Sequence, residues 1–280
     1  MNQNIITEHR NCKGCGKKYD ARILDILGVR LLCGGGYCPE CVKVKVVEED
    51  AKERQAEQAR IVTQRRQWRN SCGIFPKFMN EDFSTFEKHR QEKALKECFD
   101  YAEQFPIGKS AGYRSLVLFS NESWGVGKTH LACAIAHRIL DRWNGEAISC
   151  PVRFVSETDL FMRIQDTYNH NQEERFYLPS ERDILYDHIG VPLLILDDVG
   201  KRRVHDPRFV QRIMFALIDG RYKSMRPMVI TANLNPERLK VYLGGGTGDE
   251  ASLDRLLEMT RGQFIKMEGA SYRRGVKRER

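Results

Sequence analysis

Short apolar runs alternate with longer amphipathic segments from about residue 80 onward. The runs are Ser115–Ser120, Val152–Val155, Leu193–Leu196 and Met228–Ala232. Short, mostly apolar runs of this length are typical of strands that are buried on both faces of a sheet. Helical segments between such strands favour a parallel sheet with right-handed crossovers, so the pattern predicts an α/β domain over residues 80–280.

Helix-capping residues stand between these runs, where helices are expected to begin. Three predicted helices start at the cap residues Ser156, Asp206 and Asn235, and a proline follows each of the last two. A short polar side chain at this position accepts a hydrogen bond from the first turn, and proline suits the first helical position. Gly220 is predicted to end the long helix that begins near Asp206.

The segment before this domain has a different composition. Residues 40–72 contain neither Gly nor Pro, and Glu, Lys, Arg, Gln and Ala dominate from about residue 48. This composition predicts a helix, while its few apolar residues form no stripe that could pack in a core. Residues 51–79 are therefore predicted to be a basic helical linker between two domains.

Five of the nine cysteines lie at residues 12–41, and four of these form two C-x₂-C pairs with 22 residues between them. Two such pairs are typical of a structural zinc site, in which four thiolates surround the ion. The predicted ligands are Cys12, Cys15, Cys38 and Cys41, although Cys33 or His9 could replace one of them. Because residues 1–50 contain few large apolar side chains, a zinc-binding module is predicted there.

A phosphate-binding loop is predicted directly after the first strand of the α/β domain. Its glycines let backbone N–H groups surround the phosphates, Lys128 reaches the β- and γ-phosphates, and Thr129 ligates Mg²⁺. The residues predicted to contact ATP in this loop are Gly125, Val126, Gly127, Lys128, Thr129 and His130. Glu122 occupies the position of the first glycine of the G-x-x-x-x-G-K-T pattern.

Two further strands end in polar residues that suit the same site. Asp197 is predicted to hold the Mg²⁺ ion and to contribute to nucleotide binding. Asp198 is predicted to orient or deprotonate the attacking water. Asn233 follows another strand, and parallel strands bring their carboxyl ends to one edge of the sheet. Asn233 is therefore expected to position the water or to sense the γ-phosphate.

Composition excludes a disordered chain and predicts a cytoplasmic protein without a membrane span. Hydrophobic residues make up 41% and charged residues 30% of the 280 residues, and the mean hydropathy is −0.52. The net charge of +8 is concentrated at residues 51–70 and 271–280. These basic segments predict contact with a polyanion such as nucleic acid, or else they are solvated surfaces.

The motifs GVGKTHLA, LLILDDVG, TANLNPERL, DRLLEM and SYR, in this order, resemble the AAA+ ATPases of the bacterial helicase-loader group, DnaC and DnaI, with the related transposition protein IstB. The resemblance covers residues 72–275. It implies that Asp197 and Asp198 form the Walker B pair and that Asn233 is the first sensor. It also implies that Arg255 is an arginine finger offered to a neighbouring subunit and that Arg273 is a second-sensor-like group. On residue type alone, either arginine could be a surface salt-bridge partner.

The expected function is that of an ATP-hydrolysing DNA replication protein that loads or regulates a replicative helicase on single-stranded DNA. DnaI-type loaders resemble this chain in having an N-terminal zinc-binding domain that docks on the helicase, and an ATP-dependent homo-oligomer is implied. The alternative within the same chemistry is an IstB-like transposition accessory protein whose partner is a transposase. A small-molecule kinase and a zinc adaptor without ATPase activity are the other classes considered.

Overall fold

The computed structural model describes residues 4–26, 29–87, 91–121, 123–145, 149–171, 173–201 and 206–272. The chain divides into two compact units, residues 1–63 and residues 64–280, called here the N-terminal unit and the C-terminal unit. In the described part of the chain, no helix is both long and apolar enough to cross a membrane.

The N-terminal unit contains a small antiparallel sheet that the sequence pattern did not reveal. Its strands are β1 (Asn4–Asn11), β2 (Lys18–Ile26) and β3 (Val29–Leu32), in the order β1-β2-β3. Asn11 pairs with Lys18, so the first cysteine pair lies in the turn between β1 and β2. A short 3₁₀ turn over Cys33–Gly36 leads to the second pair, at the start of helix α1 (Pro39–Ser71).

Helix α1 confirms that the predicted linker is helical as far as Ser71, whereas residues 72–79 contain only the 3₁₀ turn Pro76–Phe78. The expectation that the linker contributes no core residue is wrong. Trp68, in the part of α1 that belongs to the C-terminal unit, is buried, and its ring centroid lies 4.6 Å from that of Trp143. Arg65 Nε donates to the backbone oxygen of Trp143 at 2.8 Å, and Arg69 pairs with Asp141 at 2.5 Å. One aromatic side chain, Trp68, therefore anchors this turn of α1. A search for an apolar stripe of helical periodicity does not detect a single residue of this kind.

The C-terminal unit is built on a five-stranded parallel sheet, as the apolar runs predict. The strands are β4 (Leu116–Phe119), β5 (Val152–Ser156), β6 (Leu193–Val199), β7 (Met228–Ala232) and β8 (Phe264–Lys266). Their order in the sheet is β5-β6-β7-β4-β8, and every neighbouring pair is parallel. The central strands are buried along their whole length because helices pack on the sheet.

The helices of this unit lie before, between and after the strands of the sheet. They are α2 (Glu92–Gln104), α3 (Lys128–Arg142), α4 (Glu157–Asp166), α5 (Glu174–Tyr177), α6 (Glu181–Gly190), α7 (Pro207–Lys223), α8 (Pro236–Leu243) and α9 (Ala251–Met259), with 3₁₀ turns at Pro76–Phe78 and Thr167–Asn169. The side chains of Ser156, Asp206 and Asn235 accept backbone hydrogen bonds as caps of α4, α7 and α8, which confirms all three predicted caps.

The predicted end of α7 at Gly220 is wrong, because the helix continues to Lys223. A Cβ atom added to Gly220 would lie 2.5 Å from Cδ1 of Ile189, in helix α6. The glycine therefore permits close packing of two helices and does not terminate one.

Candidate functional site

Strand order decides which polar residues meet at the carboxyl edge of the sheet. The loop after β4 leads into α3, and β6 ends in the two aspartates. Strand β7 lies between β4 and β6, so the strand that ends in the acidic pair is not adjacent to the strand that leads into the loop. The intervening strand contributes Thr231 and Asn233 between the two motifs.

The loop before α3 has the backbone that its glycines predict. Gly125 and Gly127 have φ angles of 77° and 99°, and Gly127 is the N-cap of α3. A Cβ atom added to Gly127 would lie 2.7 Å from the Phe86 ring, so both the backbone angle and the space require glycine there. Glu122 lies outside the described residues, and the structure therefore says nothing of its effect on the loop.

Lys128, the first residue of α3, is buried. Its Nζ atom donates to Ser120 Oγ at 2.6 Å and to the backbone oxygen of Ser123 at 3.1 Å. Both acceptors are neutral and lie at the end of β4 or in the loop that follows. The lysine is therefore held over its own loop, at the N-terminus of a helix, where positive charge and helix dipole both favour an anion.

Thr129 and Asp197 lie in direct contact, although 68 positions separate them in the chain. The Thr129 hydroxyl is 3.0 Å and 3.1 Å from the two carboxylate oxygens of Asp197, and the Thr231 hydroxyl donates to the same carboxylate at 2.6 Å. Burial raises the pKa of Asp197 to about 6, because the charged form is poorly solvated. A hydroxyl and a buried carboxylate are the hard oxygen donors that Mg²⁺ takes, so these residues fit the predicted metal.

Asp198 and Asn233 also meet, as predicted from the strand ends. Asn233 Nδ2 donates to Asp198 Oδ1 at 2.8 Å, and the backbone N–H of Asp198 donates to Thr231 Oγ1, also at 2.8 Å. Lys201 Nζ lies 2.5 Å from the second carboxylate oxygen of Asp198. The φ angle of Asp198 is 63°, an uncommon conformation for a residue other than glycine. The sequence analysis assigned no role to Lys201, which stands in no recognised motif, or to Thr231, which begins the TANLNPERL motif but attracted less attention than Asn233.

The residues of the loop and of the strand ends open onto one cleft of about 550 Å³. Its walls include the aromatic side chains of Phe86 and Tyr272 and the imidazole of His130. His130 Nδ1 lies 2.8 Å from a carboxylate oxygen of Glu81, and its Nε2 donates to the backbone oxygen of Asp82 at 2.8 Å. His130 is thus at the cleft as predicted, but its ring nitrogens are bound to the segment that precedes α2.

Glu157 is a buried carboxyl group that the sequence analysis did not single out. Its Oε2 atom accepts hydrogen bonds from the Gly200 N–H at 3.0 Å and from the Tyr242 hydroxyl at 2.8 Å. Burial raises the pKa of Glu157 to about 7, and the charge of Asp198 adds to the effect. The one sequence signal for Glu157 is its place directly after the cap residue of α4. This signal is weak, because acidic residues are common in the first turn of a helix, where they interact favourably with the helix dipole.

Arg255 lies on α9 and is not among the residues that line the described cleft. Its Nε atom donates to Asp219 Oδ1 at 3.0 Å. The structure therefore does not bring Arg255 together with Lys128 and Asp198 of the same chain. Arg273 lies outside the described residues.

The second candidate site is the cysteine cluster of the N-terminal unit. The sulfur atoms of Cys12, Cys15, Cys38 and Cys41 all lie within 4.8 Å of one another, and the Cys15 and Cys38 sulfurs are 3.8 Å apart. Four sulfurs at about 2.3 Å from a tetrahedral zinc ion would be about 3.8 Å apart, so the cluster fits the metal. Backbone N–H donors, those of Cys15 and Cys38 first, lower the pKa of Cys12 to about 6, which favours the thiolate that zinc requires.

The alternative zinc ligands lie elsewhere. Cys33 is exposed and is not part of the cluster found among the described residues. His9 pairs with Asp20 across the β1–β2 hairpin and is not part of that cluster either. The geometry therefore favours the four cysteines of the two C-x₂-C pairs.

Comparisons with known proteins agree with the geometry of the C-terminal unit. YdaV, an uncharacterised protein of Escherichia coli strain K12, is 28% identical over 209 residues, which cover 74% of this chain and 73% of that protein. The replicative helicase loader DnaC of Buchnera aphidicola subsp. Baizongia pistaciae strain Bp is 28% identical over 190 residues, 67% of this chain and 70% of that protein.

A solved structure is similar as well. The crystal structure of the DnaC helicase loader aligns with a TM-score of 0.52 at 22% identity and covers 69% of this chain and 100% of that chain. This likeness shows that the C-terminal unit has the same fold, which confirms the predicted fold class.

A family model described as IstB-like ATP binding protein matches residues 113–280. The match contains the phosphate-binding loop, the acidic strand end, Asn233 and Arg255. It spans more than half of the chain, and the resemblance drawn from the sequence motifs is confirmed. The chain therefore belongs to the IstB-like ATP-binding protein family.

Proposed function

We propose that this protein is an Mg²⁺-dependent ATPase that loads or regulates a replicative helicase on single-stranded DNA. The observation that supports ATP hydrolysis best is the meeting of two residue pairs at one sheet edge. Thr129 contacts Asp197, and Asn233 contacts Asp198, in a chain of an ATP-binding family. Similarity to a replicative helicase loader over two thirds of the chain supports the role in replication.

Each residue has a role that follows from its position. Lys128 and the N–H groups of the loop from Gly125 onward bind the phosphates, and Thr129 with Asp197 holds Mg²⁺, which neutralises phosphate charge when bound. Asp198 accepts a proton from, or orients, the attacking water. Asn233 fixes the orientation of the Asp198 carboxylate through their 2.8 Å hydrogen bond.

The ion pair between Lys201 and Asp198 is proposed to keep the site inactive until nucleotide binds. Its 2.5 Å contact with Asp198 neutralises the carboxylate that would act on water. Nucleotide in the cleft brings negative phosphate oxygens that compete for the same ammonium group. Asp198 then becomes available as a base, because its positive partner has moved to the phosphates.

Hydrolysis is proposed to need a neighbouring copy of the chain. Arg255 is absent from the cleft of its own chain as described, which fits a residue that acts on a nucleotide held by the next subunit. Arg273 is proposed to sense nucleotide within its own chain. The contact between copies is heterologous, so either a ring or an open helical assembly is compatible with it.

Contact with single-stranded DNA is proposed for the basic part of α1. The side chains of Lys52, Arg54 and Arg66 are exposed there. Arg65 and Arg69 are committed to Trp143 and Asp141, so they do not belong to this surface. Exposed cations along one helix bind the phosphate backbone without reading its sequence.

The test is ATP turnover by the full chain with Mg²⁺, with and without single-stranded DNA. We expect turnover that rises when DNA is added, and Asp198→Asn should reduce it by roughly 100-fold or more while ATP still binds. The matched control is Asp187→Asn, an exposed carboxylate on α6, which should leave turnover unchanged. Normal turnover in Asp198→Asn would move the catalytic role to another residue, and no turnover in the wild-type protein would support a zinc adaptor.

A transposition accessory protein is the second candidate, since the matching family model carries the IstB name. The proposed chemistry is the same, so the partner separates the two functions. Affinity purification of the tagged full chain from its host, with ATP present, should recover the replicative helicase. Recovery of a transposase, with duplex DNA stimulating turnover more than single-stranded DNA, would favour the second candidate.

A further inference from the structure

Arg255 is held in one orientation by groups on four of its sides. Nε donates to Asp219 Oδ1 at 3.0 Å, and Nη1 donates to the backbone oxygen of Ala251 at 2.9 Å. The guanidinium carbon lies 5.1 Å from the ring centroid of Phe215 and 5.6 Å from that of Tyr222. A free arginine side chain loses rotamer freedom when it binds a ligand, and these contacts restrict Arg255 before any ligand binds.

One nitrogen of this guanidinium is left for a ligand. Within the described part of the chain, Nη2 of Arg255 makes no hydrogen bond, while the other two nitrogens are occupied. The side chain is 26% exposed. An immobilised guanidinium with one unused N–H₂ group and partial exposure is suited to donate to an anionic oxygen from outside its own chain.

Asp219 is the residue that connects Arg255 to α7. It is largely buried, and its second carboxylate oxygen lies 2.7 Å from Lys223 Nζ, one turn further along the helix. Lys223 and Arg255 together keep the pKa of Asp219 below its usual value, so the carboxylate is charged at neutral pH. A charged acceptor makes the hydrogen bond to Nε stronger than a neutral one would.

The ion pair is not required to join the two helices. Leu253 and Leu256 of α9 are buried in the same apolar core as Met214 and Ile218 of α7. Burial of several such side chains holds the helices together through the hydrophobic effect. A partly exposed ion pair adds much less to stability, so its main effect is on the orientation of Arg255.

We propose that Asp219 is a positioning residue that holds Arg255 so that Nη2 can donate to the nucleotide bound by a neighbouring copy of the chain. The inference rests on the proposed function and adds to it the group that orients the arginine. Hydrolysis then depends on Asp219 of one subunit and on the phosphate-binding loop of the next.

The first measurement is ATP turnover against ATP concentration for Asp219→Asn at a protein concentration that supports assembly. We expect kcat to fall about 10- to 100-fold with KM for ATP unchanged, because the variant keeps its own binding loop but misplaces its arginine. Lys223→Ala is the matched control. It removes the other cation from Asp219, leaves the bond to Arg255 in place and should keep kcat within about twofold.

The second measurement mixes Asp219→Asn with Lys128→Ala. The Lys128 variant retains a correctly held Arg255, so it should restore turnover at the loop of the Asp219 variant. A change in Asp219→Asn that merely loosened the fold would not be restored in this way. Reduced turnover without restoration, together with a lower melting temperature, would therefore overturn the positioning role.

Two outcomes separate this inference from the proposed function. If Arg255→Ala loses turnover but Asp219→Asn does not, Arg255 acts in trans without help from Asp219, and only the inference is wrong. If Arg255→Ala retains full turnover, the subunit-boundary mechanism is wrong and the inference falls with it.

Discussion

The two units of this chain are stabilised in different ways. In the N-terminal unit, the buried apolar side chains among the described residues include little besides Ala21, Ile23 and Ile61, together with two of the clustered cysteines. The C-terminal unit buries whole strands and the apolar faces of the helices that pack on them. A unit of the first kind needs a metal or a cross-link, whereas the second can be stable through its core alone.

The functional sites differ in the same way. The clustered cysteines of the first unit come from two local turns, each of which holds its pair of cysteines in place. The cleft of the second unit is assembled from segments that are far apart in the chain, as the contact between Thr129 and Asp197 illustrates. Loss of a ligand should therefore unfold the first unit, while loss of a site residue in the second should leave its fold intact.

The largest expected effect comes from removal of a zinc ligand. Cys38→Ser should abolish the proposed binding of one zinc ion per chain and unfold residues 4–38, because metal binding in small structural sites contributes roughly 10–16 kcal/mol. Metal analysis and hydrogen exchange of the full chain would measure both changes. Cys33→Ser, an exposed thiol outside the cluster, is the control and should retain zinc. Full protection of β1 and β2 in zinc-free protein would show that the small sheet is stable without the metal.

The next effect concerns the core of the C-terminal unit and depends on pH. The pKa of Glu157 rises from 4.5 to about 7 on burial, so the native state holds its proton more tightly than the unfolded state does. Its contribution to the free energy of unfolding is complete below pH 4.5 and is lost as the pH rises through 7. The pKa difference corresponds to about 3 kcal/mol. Glu157→Gln mimics the neutral acid and should not show this loss.

Denaturant unfolding at pH 5 and pH 8 would check the sign. We expect equal stability at pH 5 and a more stable Glu157→Gln variant at pH 8. Glu181 serves as the opposite case, because Arg212 lowers its pKa and Glu181→Gln should be the less stable protein at pH 8. A variant at position 157 that is less stable than the wild type at both pH values would mean that the charged form is favoured in the fold.

Nucleotide affinity should change without a change of fold when Lys128 is replaced. Lys128→Ala removes the ammonium group from the loop, and charge-assisted hydrogen bonds contribute about 1.5–3 kcal/mol, so ATP should bind roughly 10- to 100-fold more weakly. Titration with a fluorescent ATP analogue measures the affinity. Lys77→Ala removes a different ammonium group that lines the cleft, and it should weaken ATP binding much less than Lys128→Ala does. Equal losses in both variants would argue against a special role for the loop lysine.

The smallest effect is expected at a helix cap. Ser156 Oγ accepts from the backbone N–H of Asp159 at 3.1 Å, and its loss in Ser156→Ala should cost about 1 kcal/mol. Thermal unfolding of the C-terminal unit would measure the shift, and the zinc content should not change. A change in zinc content would mean that the two units do not respond independently.

The sequence predicts local features best where neighbouring residues act together. The phosphate-binding loop, the two cysteine pairs and the caps at Ser156, Asp206 and Asn235 depend on residues within one turn of each other. Gly220 shows the limit of such reading, since a glycine near a helix end and a glycine at a close helix contact have the same local sequence. Ile189, whose side chain requires the small residue, lies on another helix.

The sequence by itself determined strands β4 to β7 of the parallel sheet, the acidic strand end and the spacing of the clustered cysteines, because apolar periodicity and turn chemistry are local properties. Only the tertiary structure decided that β7 lies between β4 and β6 and thereby brings Thr231 into contact with Asp197 and Asp198. It also decided that Glu157 is buried next to Gly200 and that Asp219 holds Arg255. Such contacts depend on the order in which strands join the sheet and on how helices pack across it, and no spacing along the chain encodes either of them.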